Sequence, residues 1–138
     1  MNLQELQTIV TNKLPIKIFI INNEGYQSIR ITQTNLFDSK YVGIGKQSGD
    51  LGFPSFSKIA GAFGIPYFRI ESNGQMDKLR GILSEKGYLI CEIMVTTEQI
   101  FEPKSATKRM PDGTLYSPPL EDMYPFLSRE ELERNMRN

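Results

Sequence analysis

The stretch IKIFIINNEGYQSIR, Ile16–Arg30, decides the fold. Its first six residues are short, β-branched and almost continuously apolar, the pattern of a strand covered on both faces. Asn22, Asn23, Glu24 and Gly25 end that strand with turn-forming residues. Tyr26 to Leu36 then reads as a helix, although its threonines and isoleucines weaken its propensity.

Working outward, Asn2 to Leu14 reads as a helix, with Leu3, Leu6, Ile9 and Val10 at helical spacing and Pro15 as its stop. Downstream, Phe37 to Phe53 is rich in glycine and serine and has no period. It is a loop, long enough to serve as a lid or binding loop. Ser55 to Phe63 forms a helix, with Pro54 near its start, Phe56, Ile59, Ala60 and Phe63 on one face and Gly64 as its stop. Pro66 to Ile70 is a short strand. Gly74 or Gln75 to Lys86 is an amphipathic helix with Met76, Leu79, Ile82 and Leu83 inward, ended by Gly87. Tyr88 to Val95 is a second buried strand. Strands alternating with helices indicate an α/β fold, a three-layer sandwich with a mainly parallel, Rossmann-like sheet. Three strands are few for such a sheet, and a chain opening on a helix suggests a missing upstream portion.

Residues 1–101 form this partial domain. From Glu102 the character changes: Pro103, Pro111, Pro118, Pro119 and Pro125 punctuate residues 102–138, with Asp112 and Gly113 as a turn. Leu115, Tyr116, Leu120, Met123, Tyr124, Phe126 and Leu127 are too apolar for a solvated tail. An extended C-terminal arm lying on a surface is expected, closing on a short helix, Arg129 to Met136, capped by Ser128 with Glu130 and Glu131 in its first turn.

Composition excludes several function classes. Sixteen basic and sixteen acidic residues give no net charge, which argues against nucleic-acid or anionic-membrane partners, both of which favour a basic surface. No apolar run is long enough to span a bilayer and no signal peptide is visible, so a cytoplasmic protein is expected. The one cysteine, Cys91, lies in an apolar run and reads as a buried structural thiol. Histidine is absent. That removes Ser-His-Asp and Cys-His catalysis and histidine metal sites, leaving carboxylates, amides, a hard metal or an organic cofactor.

In an open parallel sheet, ligands bind beyond the carboxyl ends of the strands. Asn22 to Arg30 lies at such an end and opens a helix, where free N–H groups and the helix dipole favour an anion such as phosphate. Asn23 offers an uncharged oxygen suited to a hard cation such as magnesium, and Gly25 lets a backbone carbonyl turn toward the same ion. Taken alone, two asparagines at a strand end are most often just a turn. Elsewhere, Lys104, Lys108 and Arg109 could meet a phosphate or form a solvated face. Arg30 could face a substrate carboxylate or sit on the helix surface. Asp50 and Glu71 are not evidently paired and take no acid–base role. No residue is assigned as catalytic.

The surroundings of the turn carry more. Asn2 to Leu6, Leu14 to Ile18, Ile20 to Asn23, Gly25-Tyr26 and Ser28 to Arg30 closely resemble thiamine diphosphate-dependent enzymes of the acetolactate synthase kind. The resemblance extends through FSKIAGAFG, Phe56–Gly64, the strand Leu89 to Val95 and the proline-bearing tail. It implies that Asn23 gives its side-chain oxygen and Gly25 its carbonyl to Mg2+, and that Tyr26 and Gln27 face the diphosphate of thiamine diphosphate mainly through backbone N–H groups. Many relatives carry glycine where this chain has Gln27. The family motif opens on Gly-Asp-Gly and closes on Asn-Asn. Only twenty-one residues precede Asn22, too few for the first half, so the aspartate ligand and the glutamate that activates the cofactor are expected to lie outside this sequence. The resemblance implies decarboxylation of a 2-oxo acid such as pyruvate, with the carbanion equivalent added to a second carbonyl. The chain alone is expected to be inactive. A non-catalytic interaction module that retains the fold is the alternative, and the sheet edge left by missing strands would favour a homo-oligomer.

Overall fold

The computed structural model describes residues 2–137, which divide into two compact units, one ending at Glu98 and one beginning at Gln99. The first is an α/β unit whose elements run α1 (Glu5–Thr11), β1 (Lys17–Asn22), α2 (Gln27–Leu36), α3 (Phe56–Ala62), β2 (Tyr67–Ile70), α4 (Asp77–Ser84) and β3 (Leu89–Met94). A single 3-10 turn, Asn73–Gln75, precedes α4. The strands form a parallel sheet in the order β1-β3-β2. Sequence order and sheet order differ because each parallel connection must cross over, and the last strand inserts between the first two.

Register explains the layers. Leu89 and Cys91 point to one face of the central strand, where they meet Ile70 and Ile82 with Phe68, Leu79 and Ile93 packed alongside; α4 supplies this cover. Ile90 points to the other face, against Ala60 and Ile65, with Leu6, Val10, Ile18, Ile20 and Phe63 around it; α1 and α3 supply that cover. Each fully buried side chain of this kind stabilises the fold by about 1.5–3 kcal/mol. Cys91 is fully buried, and burial raises its thiol pKa, as fits a packing residue.

Strand β1 departs from expectation. It is not covered on both faces: Phe19 pairs in register with Cys91 and Ile21 with Ile93, yet Phe19 is 38% and Ile21 61% exposed. The helix α4 covers β2 and β3 on that face and stops short of β1. Helix α1 is also shorter than Asn2 to Leu14, because the chain leaves it through Lys13 in a left-handed conformation, φ +49°. Ser55 caps α3, accepting from Lys58 N, and Gly64, φ +64°, carries the chain out of that helix. The threonines of α2 turn back onto it: Thr32 and Thr34 donate to the carbonyls of Ser28 and Arg30.

One polar group lies inside the sheet. Glu92 is 4% exposed on the central strand. Its carboxylate accepts from Asn22 Nδ2 on β1 and from the Tyr67 hydroxyl on β2, with Arg69 Nη1 at 3.9 Å. Buried charge is tolerated only when it is paired or hydrogen-bonded in this way.

The second unit holds a short antiparallel pair, β4 (Lys108–Arg109) and β5 (Leu115–Tyr116), joined through Asp112 and Gly113, and the helix α5 (Arg129–Met136). Gly113 has φ +85°, and Asp112 accepts from Thr114 N at 2.9 Å. Ser128 caps α5 by accepting from Glu131 N, as its sequence indicates. Polar contacts centre on Asp122, 2% exposed. Arg129 grips it with two bonds of 2.8 Å, and Lys108 lies 3.5 Å away and 3.6 Å from the Phe126 ring centroid. Lys108 is therefore neither a solvated residue nor a free phosphate ligand.

Two pH responses follow. Partial burial, then the hydrogen bond and charge of Glu92, push the Tyr67 hydroxyl up to about 12. A raised folded-state pKa gives stability that is whole below the ordinary tyrosine value of about 10 and is lost as pH rises through the folded value. Urea midpoints measured from pH 8 upward should fall more steeply in the native chain than in Tyr67→Phe, and equal slopes would refute the coupling. The Arg129 hydrogen bond, helped by the charges of Arg129 and Lys108, holds the Asp122 carboxyl below the usual carboxylate range. Its contribution is present above about pH 4 and lost as pH falls through the folded value. Asp122→Asn should loosen the second unit already at pH 7, seen as faster amide exchange at Lys104 and Tyr124, which bond each other's backbone at 2.9 and 2.8 Å.

Candidate functional site

The parallel register brings the carboxyl ends of all three strands to one edge of the sheet, where Asn22 pairs with Met94 and Ile70 with Ile93. An open groove of about 780 Å³ lies there, with Asn22, Glu24, Lys46, Arg69, Glu92 and Met94 among its lining residues. This is where an α/β sheet binds ligands.

The turn from β1 into α2 is built by side chains. Asn22 Nδ2 donates to Glu92, while its Oδ1 accepts from Glu24 N at 2.9 Å. Asn23 Oδ1 accepts from Gly25 N at 3.2 Å. Glu24 sits at φ +57°, which turns the chain sharply before Gly25. The loop passing over this turn approaches as closely as backbone can. A Cβ on Gly25 would lie 2.1 Å from Ile44 O, and one on Gly45 would lie 2.3 Å from Glu24 O. Only glycine fits at either position. Gly25 and Gly45 form an isolated bridge, and Tyr26 N donates to Ile44 O at 2.8 Å.

That loop, residues 37–53, is anchored rather than loose. Gln33 on α2 both donates to Val42 O at 2.8 Å and accepts from Val42 N at 3.0 Å. Asp50 accepts from Gly43 N at 2.8 Å and from Ser48, whose hydroxyl also accepts from the amides of Ile44 and Gly45. Those two bonds, Ser48 first, lower the Asp50 pKa. Ile44 is fully buried as a result. The long loop of the sequence thus ends as the outer wall of the turn.

None of the four residues singled out from sequence is among those lining the groove, which reaches the turn through Asn22 and Glu24. Asn23 and Gly25 flank Glu24 in the turn. The Gly25 carbonyl accepts no hydrogen bond among the described residues. Tyr26 is the N-cap of α2 and offers no side-chain cap; its ring, half exposed, meets Phe53 edge-on with centroids 5.7 Å apart. Its N–H is engaged by Ile44. The first-turn amides that follow have no intrahelical acceptor, as at any helix start. Gln27 is 9% exposed, and its side chain runs away from the turn to Thr97 O, 3.0 Å from Nε2. Arg30 is neither on the helix surface nor open to solvent: it is 5% exposed, and its Nη1 donates to Gln27 Oε1 at 2.5 Å. Among the described residues no group of three or more cysteine, aspartate or glutamate side chains is arranged to hold a metal.

Sequence reasoning missed Glu92, Tyr67 and the Ile44–Gly45 wall. Glu92 had a signal: it is the lone charge in the otherwise apolar LICEIM of β3, and a charge in a strand covered on both faces needs partners. The wall had none, because Ile44 belongs to no periodic segment.

Residues 1–93 match the family described as thiamine pyrophosphate enzyme, C-terminal TPP binding domain. The chain is 35% identical over 107 residues to the acetolactate synthase large subunit of Cyanidium caldarium, which covers 77% of this chain and 18% of that protein. It is 29% identical over 100 residues to the mitochondrial acetolactate synthase of Schizosaccharomyces pombe, covering 72% of this chain and 14% of that protein. The catalytic subunit of the mitochondrial acetolactate synthase of Saccharomyces cerevisiae is 30% identical over 96 residues, 69% of this chain and 13% of its own length. The chain thus spans less than a fifth of the curated relatives it matches. These matches, with which its parallel α/β sheet is consistent, place the chain in the thiamine pyrophosphate enzyme family, residues 1–93 belonging to the C-terminal TPP binding domain.

Proposed function

We propose that this chain supplies the diphosphate-facing part of a Mg2+-dependent thiamine diphosphate site in a 2-oxo acid carboligase or decarboxylase most like acetolactate synthase. The observation that carries the reading is the turn itself: Asn23 and Gly25 at the carboxyl end of β1, held by the neighbouring backbone of Ile44 and Gly45, immediately before the N-terminus of α2. The donor set fits Mg2+. Asn23 Oδ1 has one hydrogen bond and a further lone pair, and the Gly25 carbonyl has no hydrogen-bond partner among the described residues. Two uncharged oxygens leave most of an octahedral shell to diphosphate, water and ligands from elsewhere. The first-turn amides of α2 beginning at Gln27 face an anion at that helix end, aided by the dipole. When bound, thiamine diphosphate supplies the carbanion chemistry and electron sink for 2-oxo acids; the residues here bind and orient it. Two oxygens and a helix end make a weak site by themselves, so the isolated chain is expected to show no micromolar binding of thiamine diphosphate with Mg2+ in calorimetry and no consumption of pyruvate. Micromolar binding would refute the incompleteness of the site.

A second reading has an observation of its own. The outer edge of β1 pairs with no strand among the described residues, and Phe19 and Ile21 are exposed beside it. An unpaired strand edge with apolar neighbours favours pairing with another chain. Self-association through β1 is expected in light scattering at high micromolar concentration, and Ile21→Lys should reduce it. A clean monomer across that range would close this reading.

A further inference from the structure

Among the ion pairs of the described residues, Arg69, Arg129 and Arg137 each meet a carboxylate. Arg30 is more deeply buried than any of them, at 5% exposure, and meets none. Its Nη1 donates to Gln27 Oε1 and, at 3.5 Å, to Thr97 O. Its Nε and Nη2 are shut from solvent and have no hydrogen-bond partner among the described residues. The guanidinium also lies against Gly25, where a Cβ would come within 2.9 Å of Nη2. A positive charge is thus fixed between Gly25 and Gln27, the two residues that bracket the entry into α2, with neutral partners only. Arginine does not lose its proton under such conditions, and a buried charge without a counter-ion is costly. The fold is made favourable if an anion completes it nearby.

We infer that Arg30 is the built-in counter-charge of this turn: it raises the positive potential at the first turn of α2 from beneath, so that a diphosphate binds there, and it ties that turn to Thr97 through Gln27. This rests on the diphosphate reading above and deepens it by naming a positioning residue that need not touch the ligand. Charge acts over this range because the space between is protein rather than water. The helix dipole and the guanidinium point the same way, and both favour a multiply charged anion over a neutral ligand.

The test uses inorganic pyrophosphate with Mg2+, followed by amide chemical shifts in the full chain at low and high salt. The native chain should bind weakly, with affinity falling as salt rises. Arg30→Met fills a similar volume without the charge and should bind about tenfold more weakly, with a flatter salt dependence, while Arg30→Lys stays within about threefold of native. Unchanged affinity and salt dependence in a folded Arg30→Met would overturn the inference and leave the turn's reading standing. Should Arg30→Met not fold, Arg30→Lys decides: retained binding supports the counter-charge and a tenfold loss overturns it. A native chain that shows no pyrophosphate shifts at all would remove the diphosphate reading, and this inference with it.

Discussion

The contact between Glu92 and Asn22 is the constraint on which the site depends. A carboxylate on the central strand, buried on both sides by neighbouring strands, has to find donors. It finds them in Asn22 on β1 and Tyr67 on β2. The pairing draws the ends of the outer strands toward the middle one and fixes the side chain of Asn22, whose other end sets the turn by accepting from Glu24 N. Removing such a partner from a buried polar group costs about 1–3 kcal/mol, so the turn's shape is written into the sheet's own stability. The local conformation of Asn23 and Gly25 follows from this, and the Gly25–Gly45 contact then closes the turn from outside.

Much of the fold was legible in the sequence. The run Ile16 to Ile21, the helix face of Phe56, Ile59, Ala60 and Phe63, and the apolar strand around Cys91 give the parallel sheet and its covering helices because hydrophobic periodicity marks the type of each element. The turn at Asn22 to Gly25 was legible for a different reason: residue types that hydrogen-bond the backbone locally, as both asparagines do, are few, although the left-handed residue there is Glu24. Ser128 as the cap of α5 belongs to the same class.

What was not legible depends on partners far apart in the chain. Strand β1 reads as doubly buried because Phe19 and Ile21 are apolar, yet whether a helix lies over them is decided by where α4 ends, sixty residues downstream in the order of the chain. The role of residues 37–53 depends on Gln33 and Asp50 seizing Val42 and Gly43. Lys108 looked like part of a basic cluster, but Asp122 and Phe126 enclose it. In each case the local residues allow two outcomes, and a tertiary contact selects one.

Gln27 shows how such contacts bear on the site. A side chain at a position where the family resemblance implies glycine invites the objection that it would hold a ligand away from the backbone. Its side chain instead turns inward, to Thr97 O and to Arg30 three residues along α2. Residues three apart on a helix share a face, so Gln27 and Arg30 form one unit. A glycine at position 27 would leave the Nη1 of Arg30 without its best acceptor, and an arginine at position 30 would then be a buried cation with only a distant carbonyl for company. The side chain at 27 is therefore understandable only together with the arginine at 30, since each supplies a partner to the other and Gln27 carries the pair to Thr97.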